Sequence, residues 1–205
     1  MTRVGVAGLG RMGRAAAVRL LAAGYPVAVY NRTPDRAGEL LTLGASWAAN
    51  PAKLAAETDV VLSMLTDDQA VADVYGGPHG LLAGAGASGT TFVEMSTVRT
   101  TTVLRLREPV ERAGGRLVDA PMSGPPRAVS AGQLLVLAGG EAADVERIAP
   151  VLGSFSRRVI HLGPVGTGAT MKLVLQLPMA VLFASLGEAL SIGTQLGLSL
   201  DAMLD

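Results

Sequence analysis

Three glycines near the start of the chain place the strongest limit on what it can fold into. Gly8, Gly10 and Gly13 have the G-x-G-x-x-G spacing of loops that hold a nucleotide pyrophosphate. The apolar segment 4–7 before them predicts a buried strand, and the Ala- and Leu-rich segment 15–23 after them predicts a helix. In such a unit the first glycine permits a tight turn, the second admits the pyrophosphate and the third allows close packing. The pattern therefore predicts a dinucleotide site.

The phosphates of this site would bind free N–H groups at the start of the helix, where the helix dipole also favours negative charge. Because 26 of the 205 residues are glycine, the same spacing can also arise in a loop that binds nothing. The flanking strand and helix favour the nucleotide interpretation. The predicted cofactor contacts in this loop are Gly8, Leu9, Gly10, Arg11, Met12 and Gly13.

Strand and helix patterns alternate along the chain as far as residue 161. Buried strands that alternate with helices predict an α/β fold with a doubly wound parallel sheet of the Rossmann type. A long helix is expected from Thr167, so that residues 1–163 form the nucleotide-binding domain and residues 164–205 begin an all-helical one. The segment 119–127 is predicted as a strand that runs into a loop. Further strands are predicted at 26–30, 45–48, 59–65, 91–95, 116–120, 134–138 and 157–161, and further helices at 34–43, 51–57, 66–75, 100–113 and 141–152.

Composition favours a globular protein that handles a small molecule. Apolar residues make up 49% of the chain and charged residues 17%, and the net charge of zero gives no indication of a nucleic-acid partner. The absence of cysteine and a strand that begins two residues after Met1 fit a cytoplasmic protein without a signal peptide. The apolar segment 173–187 is shorter than the roughly 20 residues that span a bilayer. We therefore expect a buried helix there and no membrane contact.

The residues after the second predicted strand indicate which dinucleotide is bound. Folds of this kind read the adenosine ribose about 20 residues after the glycines, and an acidic residue there binds the 2′-hydroxyl of NAD. This chain has Asn31 and Arg32 instead, and a guanidinium suits a 2′-phosphate. NADP is therefore the expected cofactor, although NAD stays possible. The alternative is that Thr33 only caps the helix 34–43 and that Arg32 is solvated.

Six short motifs, in order along the chain, resemble those of the β-hydroxyacid dehydrogenases, which include the 3-hydroxyisobutyrate dehydrogenases. The Asn-Arg-Thr and Ser-Thr-Val segments, with Gly132-Gln133-Leu134, are most similar to the NADPH-dependent glyoxylate and succinic semialdehyde reductases. The six motifs are Gly-Leu-Gly-Arg-Met-Gly (8–13), Asn-Arg-Thr-Pro (31–34), Met-Leu-Thr-Asp (64–67), Met-Ser-Thr-Val (95–98), Asp-Ala-Pro-Met-Ser-Gly (119–124) and Gly-Thr-Gly-Ala-Thr-Met-Lys (166–172).

This resemblance implies an NADP-preferring oxidoreductase that transfers a hydride between nicotinamide and a small hydroxyacid, semialdehyde or 2-oxo acid. Lys172 matches the catalytic lysine, which exchanges a proton with the substrate oxygen. Arg127 is the nearest cation that could bind the substrate carboxylate, with a solvated loop arginine as the equal alternative. The resemblance implies Gln176, four residues after the lysine, as a second catalytic residue. The other site residues are Ser96, Ser123 and Gly124 for the substrate, and Asn31, Arg32, Thr33, Met64, Leu65, Thr66 and Thr97 for the cofactor; no metal site is expected.

The residue counts support a special role for Lys172 independently of the resemblance. Only two of the 17 basic residues are lysine, at positions 53 and 172, and the others are arginine. Because the chain uses arginine at almost every basic position, a lysine at 172 suggests chemistry that needs an amine able to lose its proton. A guanidinium does not lose its proton and could not replace it. The alternative is that Lys172 is an ordinary exposed lysine without a catalytic role. For His161 we expect a structural role.

Three departures from the family pattern qualify the prediction. Gln176 replaces the usual asparagine, Pro125 and Pro126 follow Ser123-Gly124 without a backbone N–H to donate, and the chain ends at Asp205 within the helical domain. Ser123 could also simply cap a following helix. We expect a homodimer from the resemblance. Two alternatives stay open, an imine reductase, although these generally lack the lysine, and a cofactor-binding module without turnover.

Overall fold

The computed structural model describes residues 1–205, with the exception of the Ala85 side chain. Six parallel strands form the main sheet in the order β3-β2-β1-β4-β5-β6. This order confirms the predicted doubly wound sheet, and its reversal between β1 and β4 marks the place where such folds bind ligands. The strands are β1 (Val4–Ala7), β2 (Val27–Tyr30), β3 (Ser46–Trp47), β4 (Val60–Ser63), β5 (Thr91–Glu94) and β6 (Arg116–Asp119).

The helices that cover this sheet lie close to their predicted positions. Two differences concern the first turns. The first helix begins already at Arg11, directly behind the glycine loop, and the helix predicted from Pro34 starts as a 3₁₀ turn, Pro34–Ala37. The helices of the whole chain, not only those on the sheet, are α1 (Arg11–Ala22), α2 (Gly38–Thr42), α3 (Pro51–Glu57), α4 (Asp68–Gly76), α5 (Thr100–Arg112), α6 (Pro126–Ser130), α7 (Ala142–Gly153), α8 (Thr167–Gln195) and α9 (Leu200–Leu204), of which α6 and α9 were not predicted.

A second, three-stranded sheet is a feature that the sequence did not predict. The predicted strands near 134 and 157 do form, but they join each other in parallel, and a short strand pairs antiparallel with the first of them. The chain leaves the main sheet after β6 because Pro121 has no N–H to continue a ladder. The predicted loop that follows contains the short α6, which begins at Pro126, where a proline fits the first helical position. The strands are β7 (Met122–Ser123), β8 (Leu134–Ala138) and β9 (Ser156–His161).

The core lies on both faces of the main sheet. Successive strand residues point to opposite faces, so Val6 packs with one cluster and Ala7 with the other, and Leu62 and Val61 divide in the same way. Both clusters consist of buried side chains, each at most 9% exposed. Burial on two faces explains why the strands read as continuous apolar segments rather than as alternating ones.

The chain divides into two compact units, Met1–Lys172 and Leu173–Asp205. The second unit contains most of α8, which continues through Pro178, and α9. The prediction of a buried helix at 173–187 was wrong for this chain, because Leu177 and Phe183 are 66% and 64% exposed. Composition favoured burial, but the only other helix of this unit is the five-residue α9. The segment 173–187 was expected to be too short to span a bilayer, but the whole of α8 is long and apolar enough to do so. Buried core helices can have the same length and composition.

Candidate nucleotide-binding and active site

The glycine loop between β1 and α1 has two glycines that packing requires and one that leaves open space. Gly8 has a φ of +98°, and a Cβ there would overlap the Met64 carbonyl oxygen. A Cβ on Gly13 would overlap the carbonyl oxygen of Gly8. A Cβ on Gly10 would meet nothing within 4 Å. The backbone at Gly10 is therefore open to a ligand, which is what the fingerprint requires of its second glycine.

The start of α1 offers N–H groups beside this open space. The first bond of the helix runs from Arg14 N to Gly10 O at 2.9 Å, so the N–H groups of Arg11 and Met12 precede the helical ladder. No side chain caps this end of the helix. Unsatisfied N–H groups at a helix start favour a bound phosphate.

Asn31 holds the glycine loop rather than standing free to read a ribose. Its Oδ1 accepts a hydrogen bond from Leu9 N at 3.0 Å, and its Nδ2 donates to Thr33 O at 2.9 Å. The side chain thus links the end of β2 to the loop after β1. An aspartate could accept from Leu9 but could not donate to Thr33, so the amide suits this link better than a carboxylate does.

Arg32 is exposed at the same strand end. None of the ion pairs among the described residues involves it. Thr33 stands at the cap position of the 3₁₀ turn, but its side chain makes no capping bond. The alternative role of Thr33 as a side-chain cap is therefore wrong, and both side chains are available to a ligand.

The ends of β4 and β5 are tied together by a buried polar network. Ser96 is 5% exposed, and its hydroxyl accepts a hydrogen bond from Leu65 N at 2.8 Å. Its own N–H donates to Glu94 Oε1 at 2.8 Å. Ser96 thus fixes the loop that contains Leu65, a predicted cofactor contact. Near it, Met64 is buried, while Thr66 and Thr97 are exposed at the two strand ends.

Glu94 is the centre of this network and was not predicted as a site residue. Its Oε2 lies 2.6 Å from Ser63 Oγ, which in turn lies 2.9 Å from the Tyr75 hydroxyl. Burial raises the pKa of the Glu94 carboxyl. Burial, and secondly the charge of Glu94, raise the pKa of Tyr75 well above its usual value. A glutamate inside a predicted buried strand was the signal that could have identified it, because such a group needs partners.

The predicted substrate-binding segment follows β6. Ser123 ends β7 and is half-buried, whereas Gly124 and Arg127 are exposed. Ser123 does not cap α6, since the cap position belongs to Pro125. Among the described residues no ion pair involves Arg127. Its guanidinium is thus accessible to a carboxylate, and equally to water.

Lys172 lies in the second turn of α8 and is half-buried. Burial lowers the pKa of its ammonium, because a desolvated site disfavours the charged form. Gln176 follows one turn later, in the second unit. His161 is hydrogen-bonded, as expected of a structural histidine, with Nε2 at 2.8 Å from Gly140 O and 3.1 Å from Gly163 O. Among the described residues no cluster of acidic and histidine side chains is suited to a metal ion.

Comparison with known proteins decides the family. Residues 3–163 match the NAD-binding domain of 6-phosphogluconate dehydrogenase. Over 202 residues the chain is 36% identical to glyoxylate/succinic semialdehyde reductase 1 of Arabidopsis thaliana. The aligned region covers 98% of this chain and 70% of that reductase. The chain belongs to the 3-hydroxyisobutyrate dehydrogenase family. It therefore carries a domain for a nicotinamide cofactor.

Solved structures agree with this family assignment. The Mycobacterium tuberculosis 3-hydroxyisobutyrate dehydrogenase with L-serine has a TM-score of 0.85 and 30% identity, over 97% of this chain and 67% of its own. An imine reductase from Pseudomonas sp. has a TM-score of 0.84 and 27% identity, over 98% of this chain and 69% of its own. Against three of the curated reductases and dehydrogenases that it matches, the chain spans 56–70% of their length.

The glycine loop yields a matched pair of substitutions. We expect Gly13→Ala to destabilise the fold by about 1–3 kcal/mol, because the new methyl group overpacks against Gly8. Gly10→Ala should change stability by less than about 0.5 kcal/mol, since its methyl group enters open space. It should still weaken nicotinamide dinucleotide binding at least roughly tenfold, about 1.4 kcal/mol. Urea unfolding measures the change in stability, and fluorescence titration with the dinucleotide measures the change in affinity. Unchanged dinucleotide affinity of Gly10→Ala would place the pyrophosphate elsewhere.

Proposed function

We propose that the chain is an NADP-preferring oxidoreductase that acts on a small semialdehyde, 2-oxo acid or β-hydroxyacid. The observation that carries this proposal is Lys172, a half-buried amine with a lowered pKa, on the helix that follows the nucleotide-binding fold. Family membership supports the class of reaction. The substrate, the choice of cofactor and the role of each residue are parts of the proposal.

The residues present fit a nicotinamide dinucleotide. The open backbone at Gly10 and the N–H groups of Arg11 and Met12 would hold the pyrophosphate. Arg32 and Thr33, both exposed, would hold the 2′-phosphate of NADP. The bound cofactor supplies or accepts the hydride. The hydrogen bond from Leu65 N to Ser96 Oγ holds the loops at the ends of β4 and β5 in place before the cofactor binds.

Lys172 would donate a proton to the carbonyl oxygen during reduction and accept the hydroxyl proton during oxidation. A lowered pKa makes both transfers easier near neutral pH, because general acid–base catalysis works best when the pKa approaches the working pH. Since reduction needs the protonated amine, its rate should fall as the pH rises through the pKa of Lys172. Ser123, Gly124 and Arg127 would bind the substrate carboxylate.

A comparison of the two lysines tests the mechanism. We expect Lys172→Arg to lower turnover by roughly 10²–10⁴-fold, because guanidinium retains its proton and places it differently. Its NADPH affinity should stay near that of the wild type. Lys53→Arg is the matched control, since Lys53 is the other lysine, is exposed and pairs with Glu57 in α3.

The assay uses NADPH with a panel of small semialdehydes, 2-oxo acids and one cyclic imine. Near-normal turnover of Lys172→Arg would contradict the mechanism. Reduction of the imine alone would favour the imine reductase alternative, which the structural similarity at 27% identity supports. Binding of NADPH without turnover on any substrate would favour a binding module.

A charge reversal at Arg32 tests the choice of cofactor. We expect Arg32→Asp to weaken NADPH binding by roughly 2–4 kcal/mol, because charge-assisted bonds are lost and repulsion is added. NADH binding should hold or improve. Arg157→Asp, an exposed arginine on β9, controls for the change in net charge. Equal affinity of the wild-type chain for NADH and NADPH would contradict the assignment.

We also propose that a second copy of the chain covers the exposed faces of α8. A helix that is apolar on all sides is normally buried. A bilayer is a poor alternative because Lys172, Gln176 and Glu188 would all enter or approach hydrocarbon at considerable cost. The large exposed apolar side chains of α8 are Leu173, Val174, Leu175, Leu177, Met179, Val181, Leu182, Phe183, Leu186 and Ile192.

Light scattering after gel filtration tests this surface. We expect the wild-type chain to be a dimer and Phe183→Asp to be a monomer, because a charge in an apolar interface is costly. Leu43→Asp, which replaces an exposed leucine of the first unit, should remain a dimer. A monomeric wild type, or flotation with neutral liposomes, would contradict the proposal.

A further inference from the structure

The carboxylate of Asp119 is bound to the start of the helix that contains Lys172. Asp119 is the last residue of β6 and has no exposed surface. Its Oδ1 accepts a hydrogen bond from Gly166 N at 2.6 Å, and its Oδ2 accepts one from Ala169 N at 2.7 Å. The first N–H groups of a helix have no partner within the helix. A carboxylate in this place makes charge-assisted bonds and also faces the favourable end of the helix dipole.

The surroundings hold this carboxylate in one position. A Cβ on Gly139 would lie 2.5 Å from Oδ1, and one on Gly168 would lie 2.9 Å from Oδ2, so two glycines make room for it. The backbone is fixed as well, because Asp119 N donates to Gly139 O at 2.9 Å and Gly139 N donates to Asp119 O at 2.8 Å. Asp119 thus joins the main sheet, the end of β8 and α8.

The ionised carboxyl is the form that these contacts fit. Burial raises the pKa of Asp119, and the N–H bonds from Gly166 and Ala169 oppose that rise. Both oxygens face N–H donors, so an added proton would point at one of them. An asparagine in this position would have one acceptor oxygen, and its NH2 group would face the other N–H donor.

The position of Lys172 depends on the turn that Asp119 holds. Lys172 follows Ala169 by three residues, less than one turn of an α-helix, which has about 3.6 residues per turn. Any displacement of the first turn therefore displaces the amine. Misplacement of a reacting group by about 1 Å can cost a factor of 10² in rate.

We propose that Asp119 is the positioning residue for Lys172: it anchors the first turn of α8 to the end of β6 and thereby sets where the amine lies. This proposal rests on the proposed function of Lys172. Asp119 itself is fully buried, so it acts through the helix and not by contact with the substrate.

Hydrogen exchange of the first turn of α8 provides a test that does not depend on turnover. In Asp119→Asn we expect amides 166–170 to exchange at least roughly tenfold faster, because a charge-assisted bond is lost. Asn50→Ala is the matched control, since Asn50 Oδ1 accepts from Lys53 N at 2.8 Å at the start of α3. That variant should loosen α3 and leave α8 unchanged. If Asp119→Asn does not fold, Asp119→Ser replaces it, because serine is smaller and avoids the conflict between donors.

Turnover in two backgrounds tests whether Asp119 acts through Lys172. Alone, Asp119→Asn should lower kcat by roughly 10–100-fold. Its KM and its NADPH affinity should change little. In the Lys172→Arg background the same substitution should lower the residual turnover by less than about threefold, because residues that act as one unit are not additive.

Each outcome decides a separate point. Unchanged exchange at 166–170 in Asp119→Asn would overturn the anchoring role whether or not the chain is active. Equal losses of turnover in both backgrounds would overturn the link to Lys172. If the wild-type chain shows no turnover, the proposed function fails, and hydrogen exchange alone decides the anchoring.

Discussion

The site depends on the contact between the first turn of α1 and the backbone of the glycine loop. Gly13 lies against the carbonyl oxygen of Gly8 with no room for a methyl group, and this contact brings the start of the helix to the end of β1. Asn31 then holds Leu9 in place from the end of β2. Rigid N–H groups beside open space are the result, and they suit a phosphate because no reorganisation is needed when it binds.

Two buried carboxyl groups hold the backbone in place at the ends of β5 and β6. Glu94 and Asp119 are partners in register at the ends of the neighbouring strands β5 and β6. Glu94 holds the loop at Ser96, whereas Asp119 holds the start of α8. Burial of a carboxyl group is costly unless its oxygens have donors. The two oxygens of Asp119 accept from the N–H groups of Gly166 and Ala169, and those of Glu94 accept from the Ser96 N–H and the Ser63 hydroxyl. The strand ends therefore carry polar groups that shape the site without being exposed in it.

The sequence was sufficient to predict the nucleotide-binding half of the fold, because the glycine spacing and the apolar strands follow from local packing. It did not predict the second sheet, since apolar segments such as 134–138 fit any buried strand and do not say which sheet they join. Asn31 was assigned to the cofactor because of its distance from the glycines, but nothing in that spacing specifies its bonds to Leu9 and Thr33. Asp119 belonged to a recognised motif, yet its partner, the start of α8, is 47 residues away from it at Gly166.

Transfer of deuterium is the most direct test of the central claim, which is that Lys172 and the nucleotide fold together carry out a reduction. The wild-type chain is incubated with NADPH that carries deuterium at both hydrogen positions of the nicotinamide C4 and with the best substrate of the semialdehyde and 2-oxo acid panel. Mass spectrometry of the product should show one deuterium on the carbon that bears the new hydroxyl group. A chain that binds this cofactor but forms no deuterated hydroxyacid would contradict the account.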